Sequence, residues 1–219
     1  PIELAKNYIK QGADELVFLD ITATIENRST LIDLVKRIAK EINIPFTVGG
    51  GISSVEDVSK LIEAGADKVS INSSAVKRPE LITEIAETFG SQCVVVAIDT
   101  KCEDSEWKVF VNGGRKATGL NTVEWAQQVE EKGAGEILLT SMNNDGTKAG
   151  FAIDITDQVS SAVNIPVIAS GGAGSKEHFK NVFEQTKATG GLAASIFHYG
   201  EIPIPELKNY LKEQKIAIR

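Results

Sequence analysis

Residues 165–174 read Ile165-Pro166-Val167-Ile168-Ala169-Ser170-Gly171-Gly172-Ala173-Gly174. A short β-branched apolar run passes into small residues, and a helical pattern follows from about Lys176. The spacing predicts a parallel strand, a glycine turn and a helix N-terminus. Unshielded backbone N–H groups in such a turn, with the positive end of the helix dipole aimed the same way, suit a phosphate. One such turn is a weak signal, but the chain carries it twice. Ile44-Pro45-Phe46-Thr47-Val48-Gly49-Gly50-Gly51-Ile52-Ser53 repeats it, with Pro45, Gly50 and Gly51 lying 121 residues before Pro166, Gly171 and Gly172. Gly12–Leu16 pairs with Gly133–Ile137 at the same shift, and Lys68–Asn72 resembles Gly191–Ser195 at a shift of 123. The chain therefore reads as two copies of one β/α half, each about 120 residues long.

Strand and helix patterns alternate along the whole sequence. Helices are expected over 1–11, 30–42, 54–64, 79–89, 122–132, 154–163, 176–186 and 205–214. Strands are expected over 16–20, 46–48, 68–72, 93–99, 136–141, 167–170 and 191–195, with a β-hairpin over 107–118 inserted after the fourth. Alternation with short turns implies parallel strands and right-handed crossovers. An open Rossmann sheet predicts a single glycine fingerprint near the first strand. Two fingerprints, at the third and seventh places of an eightfold count, point instead to a (β/α)8 TIM barrel. It reads as one domain over 1–219, with half-barrels at about 1–90 and 91–219. Only seven main strands are found, and the repeat places the partner of Asp99 before Pro1, so the first strand is expected to be missing.

With 219 residues, 42% hydrophobic and 24% charged, the chain can bury the core of one α/β domain. A net charge of −7 argues against non-specific nucleic-acid binding, though not against small phosphorylated substrates. The two cysteines, Cys93 in an expected apolar strand and Cys102, are expected to be free thiols in a reducing cytosol. No run approaches the roughly 18 apolar residues of a membrane span, and no signal peptide opens the chain. A cytoplasmic location is expected.

Active sites of such barrels lie at the strand C-termini. Asp20, Asn72, Asp99, Ser141, Ser170 and Ser195 all fall there, with both glycine turns. Gly49, Gly50, Gly51, Asn72 and Ser73 form one candidate phosphate cluster. Asp145, Gly146, Ser170, Gly171, Gly172, Ala194 and Ser195 form the other. Two clusters across one mouth suit an elongated substrate with a phosphate at each end. Asp99, between them, can act as a general acid or base tuned by burial, or can be a structural carboxylate bonded to a loop. No metal or cofactor is expected: His178 and His198 are the only histidines, and no Cys or acidic spacing recruits them. At the opposite end Glu15, Lys68 and Glu136 fall at strand starts. They read as a salt-bridge layer on the barrel floor or as a gated passage into it.

These residues give the chain a resemblance to the cyclase subunit family of imidazole glycerol phosphate synthase, from histidine biosynthesis. It rests on Asp14–Ala23, Phe46–Ile52, Ala66–Asn72, Val94–Asp99, Gly135–Ser141, Asp145–Thr147 and Ala169–Gly174. The resemblance implies a barrel that cyclises a bis-phosphorylated ribulosyl formimino aminoimidazole carboxamide nucleotide. Ammonia arrives through the core from a glutaminase docked on the floor, as in a heterodimer. By the same resemblance Asp99 matches the second of two acid–base aspartates, Glu15, Lys68 and Glu136 match the ammonia gate, and Asp67 matches a residue facing the glutaminase. The first aspartate, a gate arginine and a mobile-loop lysine belong to the segment expected before Pro1, so severely impaired cyclisation is expected of this polypeptide alone. Gly190-Gly191 replaces a more usual Asp-Ala pair, which is expected to loosen a turn there. Two other readings stay open: the related isomerase of the pathway, which needs no ammonia, and a chain that binds phosphate or partner without turnover.

Overall fold

The computed structural model describes residues 1–20 and 28–219. Part of the resemblance, Ile21-Thr22-Ala23, lies outside the described residues. Among the described residues seven parallel strands run in the order β1 (Leu16–Leu19), β2 (Phe46–Gly49), β3 (Lys68–Ile71), β4 (Val94–Glu103), β7 (Glu136–Ser141), β8 (Val167–Ser170) and β9 (Gly190–Leu192). Each neighbouring pair on this path is parallel. Among the described residues β1 and β9 are the two ends of the path.

The helices that matter here are α1 (Ile2–Lys10), α2 (Arg28–Ala39), α3 (Val55–Glu63), α4 (Ser73–Lys77), α5 (Glu80–Phe89), α6 (Thr122–Glu131), α7 (Ile153–Ala162), α8 (Lys176–Gln185), α9 (Ser195–His198) and α10 (Ile204–Glu213). Alternate strand residues face them. Phe46, Val48, Val69, Ile71, Val94, Val96, Ile98, Ile137 and Leu139 sit in one apolar cluster with Val58, Leu81, Ile85, Trp125 and Val159 from the helices. A smaller cluster joins Phe151, Phe179, Ile196, Leu207 and Leu211 at the β8–β9 end. With period two, the other residues of each strand point inward.

The inward side chains show that the sheet curls. Lys68 on β3 reaches Glu15, just before β1, at 2.9 Å and Glu136 on β7 at 2.8 Å. Side chains from alternate strands meeting in one layer are the packing pattern of a (β/α)8 barrel. The path's ends also approach: Lys208 on α10 pairs with Asp14, ahead of β1, at 2.7 Å.

The repeat is visible atom by atom. Leu16 N donates to Pro45 O and Ile137 N to Pro166 O, both at 2.9 Å. The ladders Leu16↔Phe46 and Ile137↔Val167 are equivalent at the shift of 121. For the next strand the shift is 122, not 123, because Thr47 pairs with Lys68 and Ile168 with Gly190. Helices α4 and α9 then start at the equivalent Ser73 and Ser195.

Four further expectations change. Cys93 lies in a 3-10 turn, Ser91–Cys93, and not in the strand, which starts at Val94. Strand β4 runs beyond Asp99 to Glu103 and itself forms a hairpin with β5 (Glu106–Val111), which continues into β6 (Lys116–Asn121). The two-residue turn has Asp104 and Ser105 at φ 52° and 65°, a left-handed pair that matches strand twist. Ser195 opens a short helix and does not end a strand. Gly190 and Gly191 lie in β9, where added Cβ atoms would meet Ile168 Cδ1 at 2.6 Å and Phe179 Cδ1 at 3.0 Å, so they form packed strand and not a loosened turn.

Candidate active site

Asp99 is an inward, half-buried residue of β4, paired with Phe110 where the strand enters the hairpin with β5. Asn72, at the end of β3, donates from Nδ2 to Asp99 Oδ2 at 3.0 Å. Burial pushes the Asp99 carboxyl above the ordinary aspartate range. The Asn72 hydrogen bond pulls it back, and the negative charge of Asp145 adds to the rise. Asp99 is therefore tied to one candidate cluster by a hydrogen bond and to the other by charge. A carboxyl held above its usual range has the property a general acid–base group requires.

The first cluster is built on β2 and β3. Gly50 has φ +110°, and a Cβ there would lie 2.1 Å from Asp20 O. Only glycine lets the turn pass this close to the end of β1. Asn72 precedes α4, and Ser73 begins it. Ser73 Oγ accepts a hydrogen bond from Asn112 N at 2.8 Å, in the tip of the β5–β6 hairpin. That bond occupies the hydroxyl as an acceptor and leaves its proton for another group. This tie, which no motif announces, fixes one rim of the cluster to the β5–β6 hairpin, whose first strand pairs with Asp99.

The second cluster is built on β7, β8 and the loop 142–152. Gly171 has φ +90°, with Ser141 O 2.7 Å from the position of a Cβ, and Asp145 lies against the same turn. Gly150 N donates to Gly172 O at 2.8 Å, so the loop rests on the glycine turn. Asp145 and Gly146 are exposed on it, as are Ala194 and Ser195 at the start of α9, while Gly171 and Gly172 are buried beneath. His178 is used here for backbone capping. Its Nδ1 accepts from Gly174 N at 3.1 Å and Ser175 N at 3.2 Å, fixing the start of α8. Ser175 and His178 close a capping box, with histidine in the place usually held by Glu or Gln. Among the described residues no cluster of three His, Cys, Asp or Glu side chains could hold a metal ion.

On the floor, Lys68 is 17% exposed and holds two carboxylates, Glu136 at 14% and Glu15 at 33%. Burial works to lower the Lys68 ammonium, but the hydrogen bonds it donates to Glu136 and then to Glu15 outweigh it and hold the group above the ordinary lysine value. Asp67, next in sequence, is exposed, and its Oδ2 accepts from Phe46 N at 2.8 Å. An open hollow of about 410 Å³ lined by Ala39, Ile42, Pro45, Gly65 and Asp67 lies on the same side. No helix among the described residues is long and apolar enough to cross a membrane.

Comparison with known proteins agrees with this architecture. The family described as "Histidine biosynthesis protein" matches residues 1–203. The protein named imidazole glycerol phosphate synthase subunit HisF from Hydrogenobaculum sp. is 62% identical over 220 residues, covering 100% of this chain and 87% of that protein. Proteins with the same name from Cytophaga hutchinsonii and Natranaerobius thermophilus are 60% and 58% identical, again over 100% of this chain and 87% of their own length.

Proposed function

We propose, from the premise that this chain belongs to the histidine biosynthesis protein family, that it is an enzyme subunit catalysing the cyclase step of imidazole glycerol phosphate synthase. The substrate is the bis-phosphorylated ribulosyl formimino aminoimidazole carboxamide nucleotide. Ammonia enters it, and imidazole glycerol phosphate and an aminoimidazole carboxamide ribotide leave. The observation that carries this reading is the position of Asp99. It is hydrogen-bonded to Asn72 beside one anion cradle and feels the charge of Asp145 beside the other.

Each phosphate is held by one cradle. Gly50, Gly51, Asn72 and Ser73 take one end of the substrate; Asp145, Gly146, Ser170, Gly171, Gly172, Ala194 and Ser195 surround the other. Backbone N–H groups supply most of the donors, so binding is strong without a cluster of cations. Substrate spanning the mouth has its reacting centre over Asp99, which transfers protons there. The Lys68–Glu15–Glu136 layer is the ammonia gate. It distinguishes the cyclase from the isomerase, which has no need of a charged floor. A glutaminase docks on that floor against Asp67 and the neighbouring hollow.

The test combines binding and turnover. Asp99→Asn is expected to bind the bis-phosphorylated substrate within about threefold of the wild type. It is expected to lower ammonia-dependent release of the ribotide by on the order of 10²–10⁴-fold. A variant that keeps the wild-type rate would overturn the assignment of Asp99.

A further inference from the structure

No motif singles out Asn144, yet it makes more hydrogen bonds in the second cradle than any candidate residue there. It lies in the loop between β7 and α7, and it is half-buried while Asp145 and Gly146 beside it are exposed. Its Oδ1 accepts from Ser141 Oγ at 2.9 Å. Its Nδ2 donates to Gly150 O at 2.8 Å. Its own N–H donates to Ser141 O at 3.2 Å, and its carbonyl accepts from Thr147 N at 3.0 Å and Thr147 Oγ1 at 2.6 Å.

The side-chain amide therefore spans the loop from its entry, Ser141, to its exit, Gly150. Gly150 is also the residue whose N–H holds Gly172 O. The contact is tight: a Cβ on Gly172 would lie 2.1 Å from Gly150 O and 2.9 Å from Asn144 Cβ. The amide thus closes the loop carrying Asp145 and Gly146 on itself and sets Gly150, whose N–H ties that loop to the turn of Gly171 and Gly172. Side-chain amides suit this task, since one planar group offers an acceptor and a donor in opposite directions.

We infer that Asn144 is the positioning residue of the second phosphate cradle: it sets the spacing between the 145–146 loop and the Gly171-Gly172 turn, and so the affinity of that cradle for a phosphate group. The inference rests on the reading of this turn as an anion site. Asn144 does not touch the phosphate. It acts by holding the backbone donors in register before binding, so that little ordering remains to oppose association.

The two cradles provide an internal control. Inorganic phosphate is titrated into the 219-residue chain, and the amide signals of Gly50 and Gly51 are followed by NMR alongside those of Gly171 and Gly172. For Asn144→Ala, half-saturation at Gly171 and Gly172 is expected to rise about tenfold, and at Gly50 and Gly51 to stay within twofold. Ser141→Ala removes one end of the brace and is expected to give a smaller rise at the same cradle. The double variant is expected to be no weaker than Asn144→Ala, because both changes cut one network. Equal half-saturation for wild type and Asn144→Ala overturns the inference and leaves the anion site standing. Equal weakening at both cradles also overturns it, as the effect is then not local. Failure of the wild type to bind phosphate at Gly171 and Gly172 removes the anion site itself, and the inference with it.

Discussion

The two glycine cradles share a backbone and differ in almost everything attached to it. Gly50 passes over the carbonyl of Asp20 and Gly171 over that of Ser141, equivalent residues in the repeat. Around this common frame the side chains diverge. The first half places Lys68 and Ser70 along the inner face of β3, with Asn72 just past its end. Their equivalents in the second half are Gly190, Leu192 and Ala194. The first cradle is therefore bonded to the central carboxylate and, through the inner face of β3, to the floor. The second is held by the loop that leans on it. The repeat keeps the two glycine turns, and divergence leaves the first half with Asn72 and Lys68, which reach across to Asp99 and Glu136 in the second.

The sharpest way to break this equivalence is to add one carbon to each glycine turn. At Gly50 the new atom would sit 2.1 Å from Asp20 O, and at Gly171 it would sit 2.7 Å from Ser141 O. Both positions also have a φ that L residues rarely adopt. Gly50→Ala is expected to cost about 4 kcal/mol and Gly171→Ala about 2 kcal/mol in urea unfolding. Equal losses would mean that the cradles are equally tight despite the difference in approach.

A second test concerns the floor, where the halves differ most. Lys68→Met leaves Glu136 and Glu15 unpaired and close together, with no substitute cation from the equivalent Gly190. The expected loss is about 2 kcal/mol. That is below the 3–5 kcal/mol typical of a fully buried pair, because water reaches all three groups. Adding Glu136→Gln should recover part of it, as the variants share one interaction. Additive losses would show that the layer is not coupled.

Much of this was legible in the sequence for a physical reason. Backbone that must pass close to other backbone accepts only glycine, so Gly50, Gly171 and Gly172 carry the repeat on their face. Asp99 was legible because a carboxylate at the end of the apolar run Val94–Ile98 needs an explanation. What stayed hidden depends on geometry that residue type does not dictate. Asp104 and Ser105 adopt left-handed conformations without a glycine to announce them, so the length of β4 was missed. The shift of 122 is set by ladder register, which a weak match between Lys68–Asn72 and a glycine-rich strand could not fix. Asn144 gives no motif because its importance comes from the two ends of one loop meeting at its amide.

The smallest expected effect sets the central carboxylate against the floor lysine, and it has the opposite sign. Burial raises the folded-state pKa of Asp99 above its unfolded value of about 3.9. Between those two values the folded protein holds more protons than the unfolded chain, so stability falls as pH rises through that window. Above it the ionised carboxylate remains a constant cost to the fold, reduced but not cancelled by the Asn72 hydrogen bond. Asp99→Asn removes the charge in place and is expected to stabilise the protein by about 1 kcal/mol at neutral pH. The gain should fade below about pH 4, where the native carboxyl is protonated in both states. Urea unfolding at neutral and acid pH would measure it. A gain of equal size at both would mean that packing, and not the charge, separates the two proteins. Loss of stability at neutral pH would mean that the Asn72 bond outweighs the burial, and that Asp99 supports the fold as Lys68 does.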